Sequence, residues 1–162
     1  MARHLVSHAL IALVVLAGCS RDRKKAAAPE EAAPSAQPAA GAEGLTPFEL
    51  ANGIGPVKEE ITLGPVDKAL AERGEKIFEE KCSACHKMGE RYVGPALGDV
   101  TKRRTPAYIM NMILNPEEMY TRHPEAKKLL AEFLTQMANQ GLTRDEARAV
   151  LEHLRTEGGE AK

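Results

Sequence analysis

The feature that most constrains this sequence is the run CSACH at residues 82–86, where two cysteines three positions apart are followed directly by a histidine. The residues before it place apolar side chains three or four positions apart, as at Val66, Leu70, Ile77 and Phe78. This spacing is typical of an amphipathic helix. The motif therefore stands at the end of a predicted helix, where side chains three and four positions apart lie on one side. Both thiols can consequently reach one edge of a single flat ligand.

Three kinds of site use a cysteine pair at this spacing. A redox-active dithiol of the thioredoxin type follows a strand, whereas the residues before Cys82 have a helical pattern. A structural zinc site needs a second pair of Cys or His ligands, and the remaining cysteine, Cys19, lies in the N-terminal segment. Covalent haem attachment has C-x-x-C-H as its signature, with Cys82 and Cys85 bonded to the vinyl groups and His86 to the iron. This third interpretation is favoured, and a haem would also fill the interior of a chain with 4% aromatic residues and no Trp.

The rest of the pattern predicts an all-α fold, because no segment alternates apolar and polar residues for long. Thr105 supplies an N-cap and the following proline a first helical position for PAYIMNMIL, which ends at Asn115. Residues 123–134, HPEAKKLLAEFL, are a further helix candidate. Thr143 and Glu146 have the spacing of a capping box at the start of a final helix with one apolar face.

The stretch from about residue 68 to residue 156 resembles a class I cytochrome c domain. The resemblance rests on Gly74 and Phe78 ahead of CSACH, then VGPAL, then a methionine shortly before a capped C-terminal helix. It implies an all-α class I cytochrome c fold, with helices around one covalently bound haem c and its iron. It also implies that Gly74 and Phe78 let the first helix cross the last, and that the protein transfers electrons and is not an enzyme.

The resemblance further implies the immediate surroundings of the iron. His86 would be one axial ligand, and the carbonyl of Pro95 would accept a hydrogen bond from its second ring nitrogen, which fixes the orientation of the ring. Met137 would be the other axial ligand, since it lies six residues before the Thr143 cap, where the family places its methionine. Many relatives have proline after this methionine, whereas this chain has Ala138.

Other side chains remain candidates for the sixth ligand. Met88 follows His86 too closely to bind the other face of a ring, and Met110 and Met112 lie inside a predicted helix, where methionine is more often core. Met119 stays open as an alternative to Met137. His123 and His153 keep a bis-histidine iron possible, although helix packing alone would account for His153. A site with none of these ligands would be five-coordinate and would bind a small gas molecule.

The N-terminal segment predicts export and lipidation. Residues 1–18 have the charged start and short apolar run of a signal peptide, and LAGC resembles a bacterial lipobox that makes Cys19 the lipid-modified first residue. The alternative is a signal peptide cut nearby, with Cys19 incidental. Residues 19–44 are rich in Ala and Pro and are interpreted as a flexible tether. Residues 45–66 form an N-terminal extension, residues 67–158 the cytochrome c domain, and residues 159–162 a tail.

These features predict a monomeric, membrane-tethered electron carrier in the cell envelope, on the periplasmic side of the inner or outer membrane. Its redox partner proteins are not identified by the sequence, and a formal net charge of −1 does not indicate nucleic-acid binding. A partner is expected to dock near the haem edge, close to Lys81, Lys87 and Arg91. The extension and the insertion at residues 119–134 suggest a donor to a terminal reductase such as nitrous oxide reductase. A gas sensor or a haem peroxidase is the alternative.

Overall fold

A computed structural model describes residues 44–160, and the regular secondary structure in this range is entirely helical. This confirms the all-α prediction. None of the helices in this range is both long and apolar enough to cross a membrane. In chain order they are α1 (Pro47–Asn52), α2 (Lys68–Lys81), α3 (Val100–Arg103), α4 (Pro106–Leu114), α5 (Pro116–Arg122), α6 (Pro124–Phe133) and α7 (Arg144–Glu157). The predicted signal peptide, Cys19, nearly all of the tether and the last two residues lie outside the described residues.

The crossing of α2 and α7 organises the core. At Gly74 the two helices approach so closely that a Cβ atom would collide with the carbonyl oxygen of Ala149 and lie 2.5 Å from its carbonyl carbon. Next to this contact the rings of Phe78 and His153 pack with their centroids 5.3 Å apart. Glycine is therefore needed here for a close backbone approach and not for a turn.

Both crossing helices begin at side-chain caps that the sequence contains. The Asp67 carboxylate accepts a hydrogen bond of 3.0 Å from the Leu70 N–H at the start of α2. At the start of α7, Thr143 and Glu146 form the predicted capping box, in which each side chain accepts from the backbone of the other residue. These caps satisfy backbone donors that the first helical turn leaves without intrahelical partners.

The segment between α3 and α7 contains one more helix than the sequence predicts. Helix α4 begins after Thr105 and ends at Asn115, as expected, but Pro116 starts α5 immediately. Proline disrupts the interior of a helix but is favoured at the first helical position. Pro116 therefore both ends α4 and begins α5. Helix α6 then starts at Pro124 after His123. Helices α5 and α6 pack against each other, and Met119 and Ala126 bring them into one buried cluster with Tyr108 of α4.

The N-terminal extension packs on α4 through a buried polar side chain. Asn111 is fully buried, and its Oδ1 accepts a hydrogen bond of 2.9 Å from the Val57 N–H. Its Nδ2 donates to the carbonyl oxygens of Asn52 and Val57, each at 3.0 Å. Ile54 and Val57 are buried beside these bonds. The extension is therefore part of the packed structure from at least α1 onward.

A buried ionic network holds the chain leading into α2 against α7. Glu152 is fully buried, and its carboxylate accepts hydrogen bonds from the Asp67 N–H at 2.8 Å, from Arg155 at 2.7 Å and from Arg148. Arg155 also donates to the Gly64 carbonyl at 2.8 Å. Burial opposes the charged form of Glu152, but these hydrogen bonds outweigh it and lower the pKa of the carboxyl below its ordinary value.

Candidate haem site

The CSACH motif forms a hydrogen-bonded turn directly after α2. The Cys85 N–H and the His86 N–H both donate to the Cys82 carbonyl oxygen, at 3.0 and 2.9 Å. This turn keeps the helical spacing beyond Lys81, where α2 ends. Cys82, Cys85 and His86 consequently line the same cavity, as the spacing predicts.

The His86 ring is fixed from behind by the loop that contains Gly94 and Pro95. Its Nδ1 lies 3.1 Å from the Pro95 carbonyl oxygen, and a carbonyl can only accept, so Nδ1 carries the proton. The other ring nitrogen, Nε2, then keeps a free lone pair. A Cβ atom at Gly94 would lie 2.5 Å from His86 Cε1, so glycine is needed where the loop passes the ring. The Gly94 N–H donates to the Cys85 carbonyl at 2.9 Å and joins the loop to the motif.

The walls of the cavity suit a flat, largely apolar ligand. Side chains of α2, α3, α4, α6 and α7 and of the loop between α2 and α3 supply the apolar surface, namely Phe78, Val93, Leu97, Val100, Ile109, Ile113, Leu129, Phe133, Val150 and Leu154. Basic residues also line it, Lys81, Arg103 and Arg104. Two thiols, an imidazole and a thioether form a donor set that fits haem c. The apolar walls suit its ring, and the basic groups suit its carboxylates.

Met137 lies in the loop between α6 and α7 and lines this cavity. Its backbone N–H donates a hydrogen bond of 2.7 Å to the hydroxyl of Tyr120, a residue of α5 that also lines the cavity. Burial raises the pKa of Tyr120 above its ordinary value, although the bond from Met137 opposes this, so the hydroxyl stays protonated at neutral pH. Met112 lines the cavity as well; its predicted role as core is correct only in part.

Two of the other ligand candidates, Met119 and His123, are engaged elsewhere. Met119 is fully buried, and its sulfur accepts a hydrogen bond of 3.0 Å from the Ile54 N–H. His123 is also buried, with Nε2 3.2 Å from the Leu50 carbonyl and Nδ1 accepting from the Glu125 N–H at 3.2 Å. Both of its ring nitrogens are therefore used, and burial lowers the pKa of His123 below its ordinary value. Of the residues considered for the sixth position, Met137 and Met112 line the cavity, and Met112 does so from within α4.

The cysteines have properties that fit neither rival site. Burial, with a smaller contribution from the neighbouring Cys85, raises the pKa of the Cys82 thiol to about 11. Thiol–disulfide enzymes need a lowered pKa at the attacking cysteine. Within residues 44–160, no three His, Cys, Asp or Glu side chains come together as a metal site would require. The dithiol and the zinc interpretations therefore gain no support.

One of the basic residues near the motif contacts the end of α6. Arg91 donates a hydrogen bond of 3.0 Å to the Glu132 carbonyl, and its guanidinium lies 4.2 Å from the centre of the Phe133 ring. It thus joins the motif loop to the end of α6. Arg91, like Lys81 and Lys87, is exposed. The Lys87 ammonium lies 5.2 Å from the centre of the ring of Tyr92, which is 55% exposed.

Comparison with known proteins identifies the family. Residues 71–157 match the family described as Cytochrome c, which is more than half of the chain. The chain belongs to the cytochrome c family. This cytochrome c therefore has the all-α class I fold and binds one covalent haem c with its iron, and the family consists of electron carriers.

Several known proteins are similar to this cytochrome c. A cytochrome c from Rhodothermus marinus shares 50% sequence identity and a TM-score of 0.66, covering 70% of this chain and 98% of that one. An engineered form of that protein, bound to a carbene intermediate, has the same identity, a TM-score of 0.63 and coverage of 70% and 99%. A cytochrome c-553-like protein from Synechocystis sp. is 32% identical over 65 residues, 32% of this chain. The chain spans 62% of the length of that curated relative.

Sequence reasoning missed some of the residues that shape the site. Tyr120 lies in the unpredicted helix α5, and its contact with Met137 joins residues 17 positions apart. Arg104 packs over the Tyr108 ring at 4.8 Å and bonds Glu125 at 3.1 Å, while also lining the cavity. The sequence contains one signal for the Tyr120 contact, since Tyr120 is an isolated tyrosine between NPEEM and TRHP. An aromatic residue in a polar stretch usually packs against other residues.

Proposed function

We propose that this cytochrome c carries one electron at a time between respiratory redox partners outside the cytoplasm, held at a membrane by a lipid on Cys19. The observation that carries the proposal is the common cavity of Cys82, Cys85, His86 and Met137. When bound, haem c supplies an iron that changes oxidation state by one electron. The protein's part is to hold the group, to select the iron ligands and to keep the site dry.

Each of the four residues has a separate role in this proposal. The thiols of Cys82 and Cys85 would each add across a vinyl group, so that sulfur bonds one carbon and the thiol hydrogen goes to its neighbour. No oxidant is needed for this addition. The Nε2 lone pair of His86, held by the hydrogen bond from Nδ1 to Pro95, would be one iron ligand. The Met137 sulfur would be the other, a ligand that raises the reduction potential relative to a second histidine.

The apolar walls support the proposal of an electron carrier because they keep water from the haem site. A dry surrounding stabilises the less charged state of the iron site and excludes competing ligands. Phe78, Ile109 and Leu154 contribute to these walls from three different helices. The cavity is therefore maintained by the helix packing of the whole domain.

The finer parts of the proposal rest on the sequence. The signal peptide at residues 1–18 and the lipobox LAGC support lipidation of Cys19, on the periplasmic side of the inner or outer membrane. The Ala/Pro-rich residues 19–44 would let the haem domain reach partners near that membrane. A terminal reductase such as nitrous oxide reductase is proposed as one acceptor, with the exposed Lys81 and Lys87 near the docking face.

Lipidation and electron carriage can be tested together on the full chain. Cells that assemble c-type cytochromes are grown with labelled palmitate, and the haem protein is purified in detergent from wild type, Cys19→Ser and Ser20→Ala. We expect label in wild type and Ser20→Ala and none in Cys19→Ser, with a reversible one-electron redox titration in all three. Label missing from wild type would refute the lipid anchor. An irreversible titration, or one that involves more than one electron, would refute the carrier.

A further inference from the structure

The loop that carries Met137 is held by individual contacts and not by regular secondary structure, with Met137 and Leu142 packed against the core. Residues 134–143 connect α6 to α7 without regular secondary structure. The loop begins at Leu134, which has a positive φ of 55° and a side chain that is 84% exposed. Ala138 follows Met137 and is exposed. Because it is an alanine, this position does not have the fixed φ of a proline. The position of the Met137 backbone must therefore come from contacts with the rest of the domain.

Two hydrogen bonds connect this loop to helices that precede α6 in the chain, one to α4 and one to α5. The Asn139 side chain donates to the Leu114 carbonyl at 3.3 Å, a long bond from an exposed residue. The Met137 N–H donates to the Tyr120 hydroxyl at 2.7 Å, at the short end of the range for N–H to oxygen bonds. The Tyr120 bond is thus the tighter of the two, and it acts on the residue that lines the cavity.

Tyr120 is itself held on a fixed support. It follows Met119, which is fully buried against Ile54 and Tyr108, and α5 begins at the buried Pro116. The Tyr120 ring is half-buried and packs on the same cluster. The Tyr120 hydroxyl is attached to a rigid ring on a helix that the neighbouring Met119 anchors. It can therefore fix the position of the Met137 backbone relative to the cavity.

We propose that Tyr120 is a positioning residue that holds Met137 in place as the sixth ligand through the Met137 N–H. The inference rests on the proposed assignment of Met137 and adds the residue that keeps it bound. The bond acts one atom away from the Met137 Cα, where the side chain begins. Losing it would enlarge the fraction of molecules in which the loop has moved away and the sixth position is accessible.

The chain offers a matched control for this role. Tyr92 is 55% exposed and is not among the residues that line the cavity. Tyr92→Phe and Tyr120→Phe each remove one hydroxyl from a tyrosine. The second removes the bond to Met137. A difference between the variants therefore reports the Tyr120 hydroxyl and not the general effect of replacing tyrosine with phenylalanine.

The experiment measures how readily added imidazole displaces the native ligand from the oxidised holoprotein. The apparent affinity for an outside ligand is its intrinsic affinity multiplied by the fraction of molecules with an open site. Loss of one ordinary hydrogen bond should raise that fraction, and so the affinity, about fivefold in Tyr120→Phe. Tyr92→Phe should match wild type. Met137→Ala, with no sulfur to displace, should bind imidazole far more tightly than any of these.

Each outcome bears on a different claim. If Tyr120→Phe binds imidazole like wild type while Met137→Ala binds it tightly, the role of Tyr120 is refuted and the ligand assignment stands. If Met137→Ala also binds like wild type, Met137 is not the ligand. Should Tyr120→Phe fail to fold, amide hydrogen exchange in wild type decides: the Met137 N–H should exchange more slowly than those of Gln136 and Ala138, and equal rates would refute the bond.

Discussion

Replacing Gly74 with alanine is expected to lower the free energy of unfolding of the holoprotein by about 3 kcal/mol, at the upper end of the usual range for added bulk in a packed core. The reason is the crossing of α2 and α7, where the new Cβ would lie 2.5 Å from the Ala149 carbonyl carbon. Backbone cannot move aside as a flexible side chain can, so the helices must separate. Separation would also loosen the contact between Phe78 and His153, whose ring centroids lie 5.3 Å apart.

Guanidinium chloride unfolding, followed by helical circular dichroism, measures this effect. Gly64→Ala is the control, because a Cβ atom at Gly64 would have no atom within 4 Å and its φ is not in the left-handed region. Its stability should stay within about 0.5 kcal/mol of wild type. A Gly74→Ala protein as stable as the control would show that the helices cross less closely than the structure has them.

Replacing Asn111 with leucine is expected to lower the free energy of unfolding by about 3 kcal/mol, because buried hydrogen-bonding groups lose their partners. The Val57 N–H and the carbonyls of Asn52 and Val57 would remain buried without the bonds of 2.9, 3.0 and 3.0 Å that Asn111 makes. Leucine has similar bulk, so the loss would not arise from a cavity. The extension should detach from α4 more readily than the rest of the domain unfolds.

Limited proteolysis and chemical unfolding together check this expectation. The Asn111→Leu protein should be cut near residues 53–57 at a protease concentration that leaves wild type intact. Asn139→Leu makes the same replacement at an exposed position and should cost about 1 kcal/mol or less, with no new cut in the extension. Resistance of Asn111→Leu to cleavage would mean that other contacts hold the extension.

The sequence predicts the haem motif well because its geometry is local. Cys82, Cys85 and His86 lie within five residues, and the helical turn alone places them together. The start of α7 was equally readable, since the Thr143 and Glu146 capping box needs a separation of only three residues. Both cases depend on short-range geometry that is the same in any protein.

The short helices and the contacts between distant residues could not be predicted in the same way. Helices α1 and α5 have six and seven residues, too few for an apolar period to stand out. The bond between Tyr120 and Met137 depends on how the chain packs after α4 ends, which no local pattern records. Asn111 did give a signal, as the one amide within the apolar run PAYIMNMIL, because a buried amide must be hydrogen-bonded.

The central claim is that this cytochrome c carries electrons on a haem whose iron is bound by His86 and Met137. The most direct test is the visible spectrum of the oxidised and reduced holoprotein, for wild type and Met137→Ala, with carbon monoxide added to the reduced forms at neutral pH. We expect the weak long-wavelength band of sulfur–iron ligation in oxidised wild type and its loss in Met137→Ala, and carbon monoxide should bind only the variant. A wild type that lacks the band and takes up carbon monoxide would contradict the account and indicate a gas sensor.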